Sequence, residues 1–117
     1  MLDKRKFYIN GKWVNSSENN DFEVINPSNE NAYALISLGN KTDVDNAVSA
    51  AKNSFSEWSN TDKRYRISFL EKLYDIYQSR WLEITTTISE EMGAPLDWAS
   101  SAQTSSGSDH IKDFIKR

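Results

Sequence analysis

The pattern of apolar and polar positions changes period once, close to residue 40. Before that point, apolar residues come in short runs bounded by turn formers, the spacing of strands. Phe7, Tyr8 and Ile9 form one run, and Trp13 with Val14 forms the next. Asn10-Gly11 lies between them. That dipeptide suits a type I′ turn, which needs positive φ at both positions, so a hairpin is predicted over residues 7–14. Residues 15–20 read as polar loop. A second strand is predicted over 22–25, ended by Asn26-Pro27, and a third over 33–38, closed by Gly39-Asn40. Between them, Ser28-Asn29-Glu30-Asn31 reads as a turn, with Asn29 or Asn31 expected in the left-handed region that Asn tolerates.

Beyond residue 40 the spacing becomes three and four. Thr42 is the candidate N-cap of a helix whose first turn carries Asp43 and Asp45, where the helix dipole favours negative charge. Val44, Ala47, Val48, Ala51, Phe55 and Trp58 fall on one face of it. Residues 59–61 break that helix, and Thr61 or Asp62 is expected to cap the next. The longest helical signal runs over 64–95. Phe69, Leu73, Ile76, Tyr77, Ile84, Ile88 and Met92 form one row, widened by Tyr65, Ile67, Leu70, Tyr74, Trp81 and Leu82. So wide a band predicts burial on more than one side. Ser79-Arg80 is the expected joint if the stretch is two helices. Gly93 and Pro95 end it. Residues 96–117 contain serines that are poor in helix interiors, yet Trp98, Ala102, Ile111, Phe114 and Ile115 form a broken helical stripe. That stripe is still running at Arg117, so the chain is expected to be the front part of something longer.

Composition sharpens this. At 117 residues the chain is one domain or a piece of one. Four Trp, five Tyr and five Phe are many for that length and call for a packing surface. A net charge of −3 without a basic face argues against nucleic acid. Lys4, Arg5 and Lys6 read as a solvated N-terminal tail. No cysteine is present, which excludes a disulfide, a thiolate metal site and a cysteine nucleophile from these residues. No apolar run reaches the roughly 18 residues of a membrane span, and the start lacks the apolar segment of a signal peptide. A cytoplasmic protein is expected, with no membrane partner.

Candidate chemistry is sparse. Ser105, Ser106, Ser108, Asp109 and His110 include each residue type of a hydrolase triad, but neighbours on a helix point in different directions and no nucleophile elbow accompanies them. Glu90 and Glu91 diverge by about 100° on a helix. They also sit at a C-terminal end where the dipole disfavours them, which hints at a nearby cation, although solvation is the simpler account. Glycines at 11, 39, 93 and 107 are too scattered for a phosphate-binding loop.

Taken in order, the segments resemble the N-terminal part of the aldehyde dehydrogenase superfamily. The resemblance rests on Phe7-Tyr8-Ile9-Asn10-Gly11-Lys12-Trp13, Val24-Ile25-Asn26-Pro27-Ser28-Asn29-Glu30 and Asp43-Val44-Asp45-Asn46-Ala47-Val48. It continues through Ala50-Ala51, Phe55 with Trp58, Arg66 and Leu70, and Glu90-Glu91-Met92-Gly93-Ala94-Pro95. Ala102-Gln103, Ser106-Gly107 and His110 look like one bacterial subgroup. Asn29 replaces a frequent Gly, and Ala94 a frequent Lys.

The resemblance implies an α/β fold. This stretch would be short N-terminal strands with a hairpin over 7–38, then three to four helices over 42–117. Residues 1–117 would form an incomplete part of a Rossmann-like cofactor-binding domain. The family's full enzyme oxidises an aldehyde to a carboxylic acid with NAD or NADP, using a cysteine thiolate and a general-base glutamate, and is commonly a homo-oligomer. Those catalytic residues and the nicotinamide loops match nothing here, so no catalytic or cofactor-binding residue is assigned and the segment alone is expected to be inactive. The resemblance also implies a monovalent cation held by the Ile25 carbonyl and the Glu91 carboxylate, where an Asp is frequent. Two other readings stand beside it. One is a non-enzymatic α+β module that binds a protein partner. The other is a degenerate paralogue that joins full-length dehydrogenase subunits.

Overall fold

Asn10 and Gly11 take φ of 51° and 74°, the paired positive values that a type I′ turn requires. They join β2 (Phe7–Ile9) to β3 (Lys12–Val14) in an antiparallel hairpin, with Tyr8 opposite Trp13. The two rings lie 5.2 Å apart, a cross-strand aromatic pair of the kind that stabilises small hairpins. The structure is a computed structural model describing all 117 residues. They divide into two units: Met1–Ile25 with Glu30–Asn60, and Asn26–Asn29 with Thr61–Arg117.

In the first unit a three-stranded sheet accompanies the hairpin, in the order β1 (Leu2–Lys4), β5 (Ala32–Ser37), β4 (Asp21–Ile25). β4 and β5 are antiparallel, with an irregularity at Val24/Ile25; β1 runs parallel to β5. The reading of Lys4, Arg5 and Lys6 as a free tail is therefore corrected. Lys4 pairs with Ile36 in the sheet, and Arg5 donates to Asp3 at 2.7 Å and to Asp21 at 3.1 Å. A three-residue strand leaves too short a pattern to read, and only its pairing with β5 reveals it. The Arg5 guanidinium holds the Asp3 carboxyl down at about 2.

α1 (Lys41–Ser59) follows β5. Its cap is Asn40 rather than Thr42. The Asn40 side chain accepts from the Asp43 backbone N–H, and Asp43 accepts in return from the Asn40 N–H, each at 3.1 Å. This reciprocal box satisfies two exposed donors at once, which Thr42 could not do from inside the first turn. The turn residue with positive φ is Glu30, at 60°, not Asn29 or Asn31. Asn26 starts the turn earlier than expected. Its side chain accepts from Ser28 N–H at 2.8 Å and its carbonyl from Asn29 N–H at 3.4 Å. The left-handed step then falls one residue beyond Asn29.

The second unit is helical. Asp62 caps α2 (Lys63–Ser79) through the Arg64 N–H at 2.7 Å. The helix stops where the sequence places the joint: Arg80 sits at φ −103°, ψ 16°, and α3 (Trp81–Met92) begins after it. The Ser79 hydroxyl helps by donating to the Ile76 carbonyl at 2.8 Å, one of the helix's own acceptors. Gly93 closes α3 at φ 70°. The short α4 (Leu96–Trp98) leads through a wide π turn over Ala99–Thr104 into α5 (Ser105–Lys116). Serine hydroxyls in this stretch bond back one turn, as Ser101 does to the Asp97 carbonyl at 2.7 Å, which keeps them satisfied within a helix that such bonds tend to bend. No helix is long and apolar enough to cross a membrane.

The buried interior is small and mostly polar. Ala34 and Ala99 are the buried apolar residues; Asn26, Asp43, Thr85, Thr104 and Ser108 are buried with them. Trp13, Phe55, Trp98 and Phe114 are each more than 60% exposed. The aromatic load that the sequence carries is not covered within these residues.

Candidate functional site

Three places bring side chains together closely enough to act as a unit. The first joins the Asn26–Asn29 turn to the end of α3. Asn26, 6% exposed, donates its side-chain amide to the half-buried Glu90 carboxylate. Its amide oxygen is meanwhile taken by Ser28. Glu90 therefore has a neutral donor as its partner at the helix C-terminus. Gly93 lies against the same turn: a Cβ built there would stand 2.8 Å from Pro27 Cγ.

The second is a polar seam between α2–α3 and the last helical stretch. The Tyr77 hydroxyl donates to the Thr104 carbonyl at 2.9 Å, where the π turn ends. Thr85 and Thr104 share a hydroxyl hydrogen bond at 2.9 Å. Gln78 donates to Ser108 at 2.7 Å, and Trp81 Nε1 to Ser100 at 2.9 Å. Gly107 permits the approach, since a Cβ there would meet Tyr77 Cζ at 3.0 Å and its hydroxyl more closely still. The serines that weaken the helical signal are thus the partners of this seam. A π turn disturbs helical spacing and often marks a functional stretch; here Ser100 and Thr104 are engaged by Trp81 and Thr85, while the buried Gln103 Oε1 has no hydrogen-bond partner. The hydrolase candidates separate accordingly. Ser108 is engaged with Gln78, Ser105 bonds the Ser101 carbonyl at 2.5 Å, and Asp109 and His110 are exposed.

The third is the turn from β5 into α1, where a strand, Gly39 and a helix N-terminus follow one another as in a dinucleotide cradle. The residues present do not fit a dinucleotide. A Cβ at Gly39 would meet the Phe7 ring at 3.5 Å, so an aromatic side chain lies beside the turn. The Asn40 side chain takes the Asp43 N–H, and the Asp43 carboxylate already occupies the helix N-terminus. Asp43 accepts from the Asn40 N–H, from Ser17 N–H at 2.9 Å and from Ser16 Oγ at 3.1 Å. Those backbone donors, Asn40 first and then Ser17, hold its carboxyl below the ordinary value of 3.8.

A group with a depressed folded pKa stabilises above its unfolded pKa, and that contribution disappears as pH falls through the folded one. Asp43→Asn is therefore expected to lower the urea midpoint at pH 7 and to flatten its decline below about pH 4. Equal slopes for both proteins in acid would show that Asp43 does not carry this linkage.

Ile25 and Glu91, the two cation ligands that the resemblance implies, belong to different units. Ile25 ends β4 and is 46% exposed; Glu91 is exposed in the last turn of α3. No group of three or more His, Cys, Asp or Glu is placed to hold a metal ion. Sequence reasoning missed Asn26 with Glu90. The available signal was Asn before Pro, a pairing that fixes a turn and leaves the amide free to reach out.

Residues 13–117 match the model of the aldehyde dehydrogenase family. The chain is 47% identical over 96 residues to a 3-succinoylsemialdehyde-pyridine dehydrogenase of a Pseudomonas species, covering 82% of this chain and 20% of that protein. Among solved structures, an aldehyde dehydrogenase from Bartonella henselae superposes with a TM-score of 0.96 at 52% identity, covering 99% of this chain and 24% of that one. Aldehyde dehydrogenase C of Pseudomonas syringae, solved as a mutant with NAD+ and octanal, superposes with a TM-score of 0.92 at 31% identity, covering 97% and 24%. The chain thus spans a fifth to a quarter of the length of these relatives.

Proposed function

Because this chain belongs to the aldehyde dehydrogenase family, we propose that it is the N-terminal segment of an enzyme that oxidises an aldehyde to a carboxylic acid with NAD or NADP. The observation that carries this reading is the superposition on the Bartonella enzyme, with a TM-score of 0.96 at 52% identity over 99% of the chain. The semialdehyde in one relative's name and the octanal and NAD+ bound to another support the substrate class and the cofactor.

In this reading the segment supplies the outer strands and first helices of an incomplete cofactor-binding domain, and the complete enzyme is a cytoplasmic homo-oligomer. Its own residues hold and position; they do not react. They include no cysteine, and the helix N-terminus after β5 is satisfied by Asn40 and Asp43. Ile25 and Glu91 belong to the proposal only as the cation ligands that the family resemblance assigns.

Joining residues 1–117 to the remaining part of the Bartonella enzyme tests the reading. The chimera is expected to form NADH or NADPH in the presence of an aldehyde, and the 117-residue chain to form none. A folded chimera that oxidises no aldehyde, or turnover by the chain alone, overturns it. One observation favours the second reading, a protein-interaction module: Val44, Val48 and Phe55 of α1 are half or more exposed.

A further inference from the structure

Asn10 is the one asparagine in the chain that precedes a glycine. Both residues are exposed at the tip of the β2–β3 hairpin. The Gly11 N–H makes no hydrogen bond, and the Asn10 side chain has no partner holding it. A Cβ built at Gly11 would meet nothing within 4 Å, so the approach to its nitrogen is open. Asn10, Gly11, Ala47, Ala50, Ala51 and Ser54 border a hollow of about 310 Å³ on the α1 side of the turn. The small side chains there leave room for the Asn10 amide to swing and for water to enter.

Closing an asparagine side chain onto the next backbone nitrogen holds ψ of the asparagine at about −120°, the value that a type II′ turn has at its first central residue. Types I′ and II′ share a positive φ at that residue and differ by rotation of the one peptide plane after it. Asn10 already has φ of 51°. Gly11, now at 74°, takes the negative φ that the rotation gives it without cost, because it has no Cβ. Both turns suit a two-residue hairpin, so the ring can close while the strands stay paired.

We propose that Asn10 is a site of intramolecular deamidation through a succinimide, with water as the only co-reactant, and that one of its two products opens the hairpin. The Gly11 backbone nitrogen gives its proton to solvent base and attacks Asn10 Cγ. A bond forms between them, the bond from Cγ to Nδ2 breaks, and Nδ2 leaves as ammonia. Water then opens the ring at either carbonyl, and nothing is oxidised or reduced. Attack at Cγ leaves an aspartate at position 10 in an ordinary chain. Attack at the former backbone carbonyl leaves an isoaspartate, in which the chain runs through the side chain and gains a methylene. Asp-Gly suits the same turn, so the first product keeps the hairpin. The added methylene puts Ile9 out of register with Lys12 and Tyr8 with Trp13, so the second loses it.

Other asparagines lack a requirement that Asn10 meets. Asn26 precedes Pro27, which has no N–H to give up. Asn46 and Asn53 lie within α1, where the next amide is bonded to a helix carbonyl. The Asn40 side-chain oxygen is held by the Asp43 N–H at 3.1 Å and by Ser17 Oγ at 2.8 Å.

The experiment incubates the 117-residue chain in mildly alkaline buffer. Peptide mapping by mass spectrometry follows the amide at position 10, and an isoaspartyl-specific carboxyl methyltransferase serves as the probe for isoaspartate. Amide hydrogen exchange over residues 7–14 reports whether the hairpin is present. The unreacted chain is expected to be protected there. It should lose the Asn10 amide within about tenfold of the rate of a peptide of residues 7–14 in urea, a barrier difference below ~1.4 kcal/mol. Isoaspartate and aspartate should both form, with protection lost in the first product and kept in the second. Asn10→Gly, which keeps a two-residue turn, should keep the protection and give no isoaspartate. The proposal is overturned by a slower rate than this, by an unprotected hairpin in the unreacted chain, or by aspartate forming without isoaspartate, the mark of direct hydrolysis. Faster conversion at another asparagine, isoaspartate in the Asn10→Gly chain, or a protected hairpin in the isoaspartyl product overturns it too.

Discussion

Gly93→Ala is expected to destabilise the helical unit by about 3 kcal/mol, more than any other small substitution in the chain. Two independent costs add. The residue sits at φ 70°, where any Cβ crowds the following carbonyl at about 1–2 kcal/mol. The new Cβ would also stand 2.8 Å from Pro27 Cγ, in a place where the turn is held by Asn26 and Glu90 and cannot easily retreat. Such overpacking costs about 1–3 kcal/mol. For a unit of this size the melting temperature should fall by roughly 12–24 °C. The two costs can be separated. In a Pro27→Ala background the ring atom is gone, and Gly93→Ala should cost only its backbone part. Equal melting shifts in both backgrounds would mean that Pro27 does not press on this position.

Gly107→Ala should follow with a loss of about 2–3 kcal/mol. Its methyl group would displace the Tyr77 ring, whose hydroxyl donates to the Thr104 carbonyl. The substitution thus overfills the seam and breaks a hydrogen bond across it. Tyr77→Phe alone should cost about 1 kcal/mol for the lost donor. The double variant should lose less than the sum of the two, because the atom nearest the new methyl is gone while Cζ at 3.0 Å still resists. Urea unfolding of the four proteins measures this. Strict additivity would show that glycine is present here for another reason.

Much of the architecture was legible in one dimension. Asn10-Gly11 between two β-rich runs determined the hairpin, because few other dipeptides accept two positive φ angles in succession. Gly93 before Ala-Pro determined where α3 ends, and Ser79-Arg80 was a readable joint because a local hydroxyl competes for helix carbonyls there. The ordered set of motifs from Phe7 to Pro95 was enough to point to the family that residues 13–117 match. Each of these features is local, or a string of local features, and a sequence carries that kind of information directly.

What the sequence left open depends on distance through space. Leu2–Lys4 becomes a strand only by pairing with β5. Asn40 displaces Thr42 as the cap because Asp43 answers it, and Asp43 is held in turn by Ser16 and Ser17 from a loop far back in the chain. Glu90, not Glu91, finds a partner because Asn26 is brought up from 64 residues away. Gly107 and the serines around it look like helix breakers until Tyr77 and Gln78 lie against them. The apolar row of α1 was visible as a row, but the division of it between Ala47 and Ala51, beside the hairpin turn, and the exposed Val44, Val48 and Phe55 was not. Period says that a face exists, and only the tertiary structure decides which of its residues, here Val44, Val48 and Phe55, stay exposed.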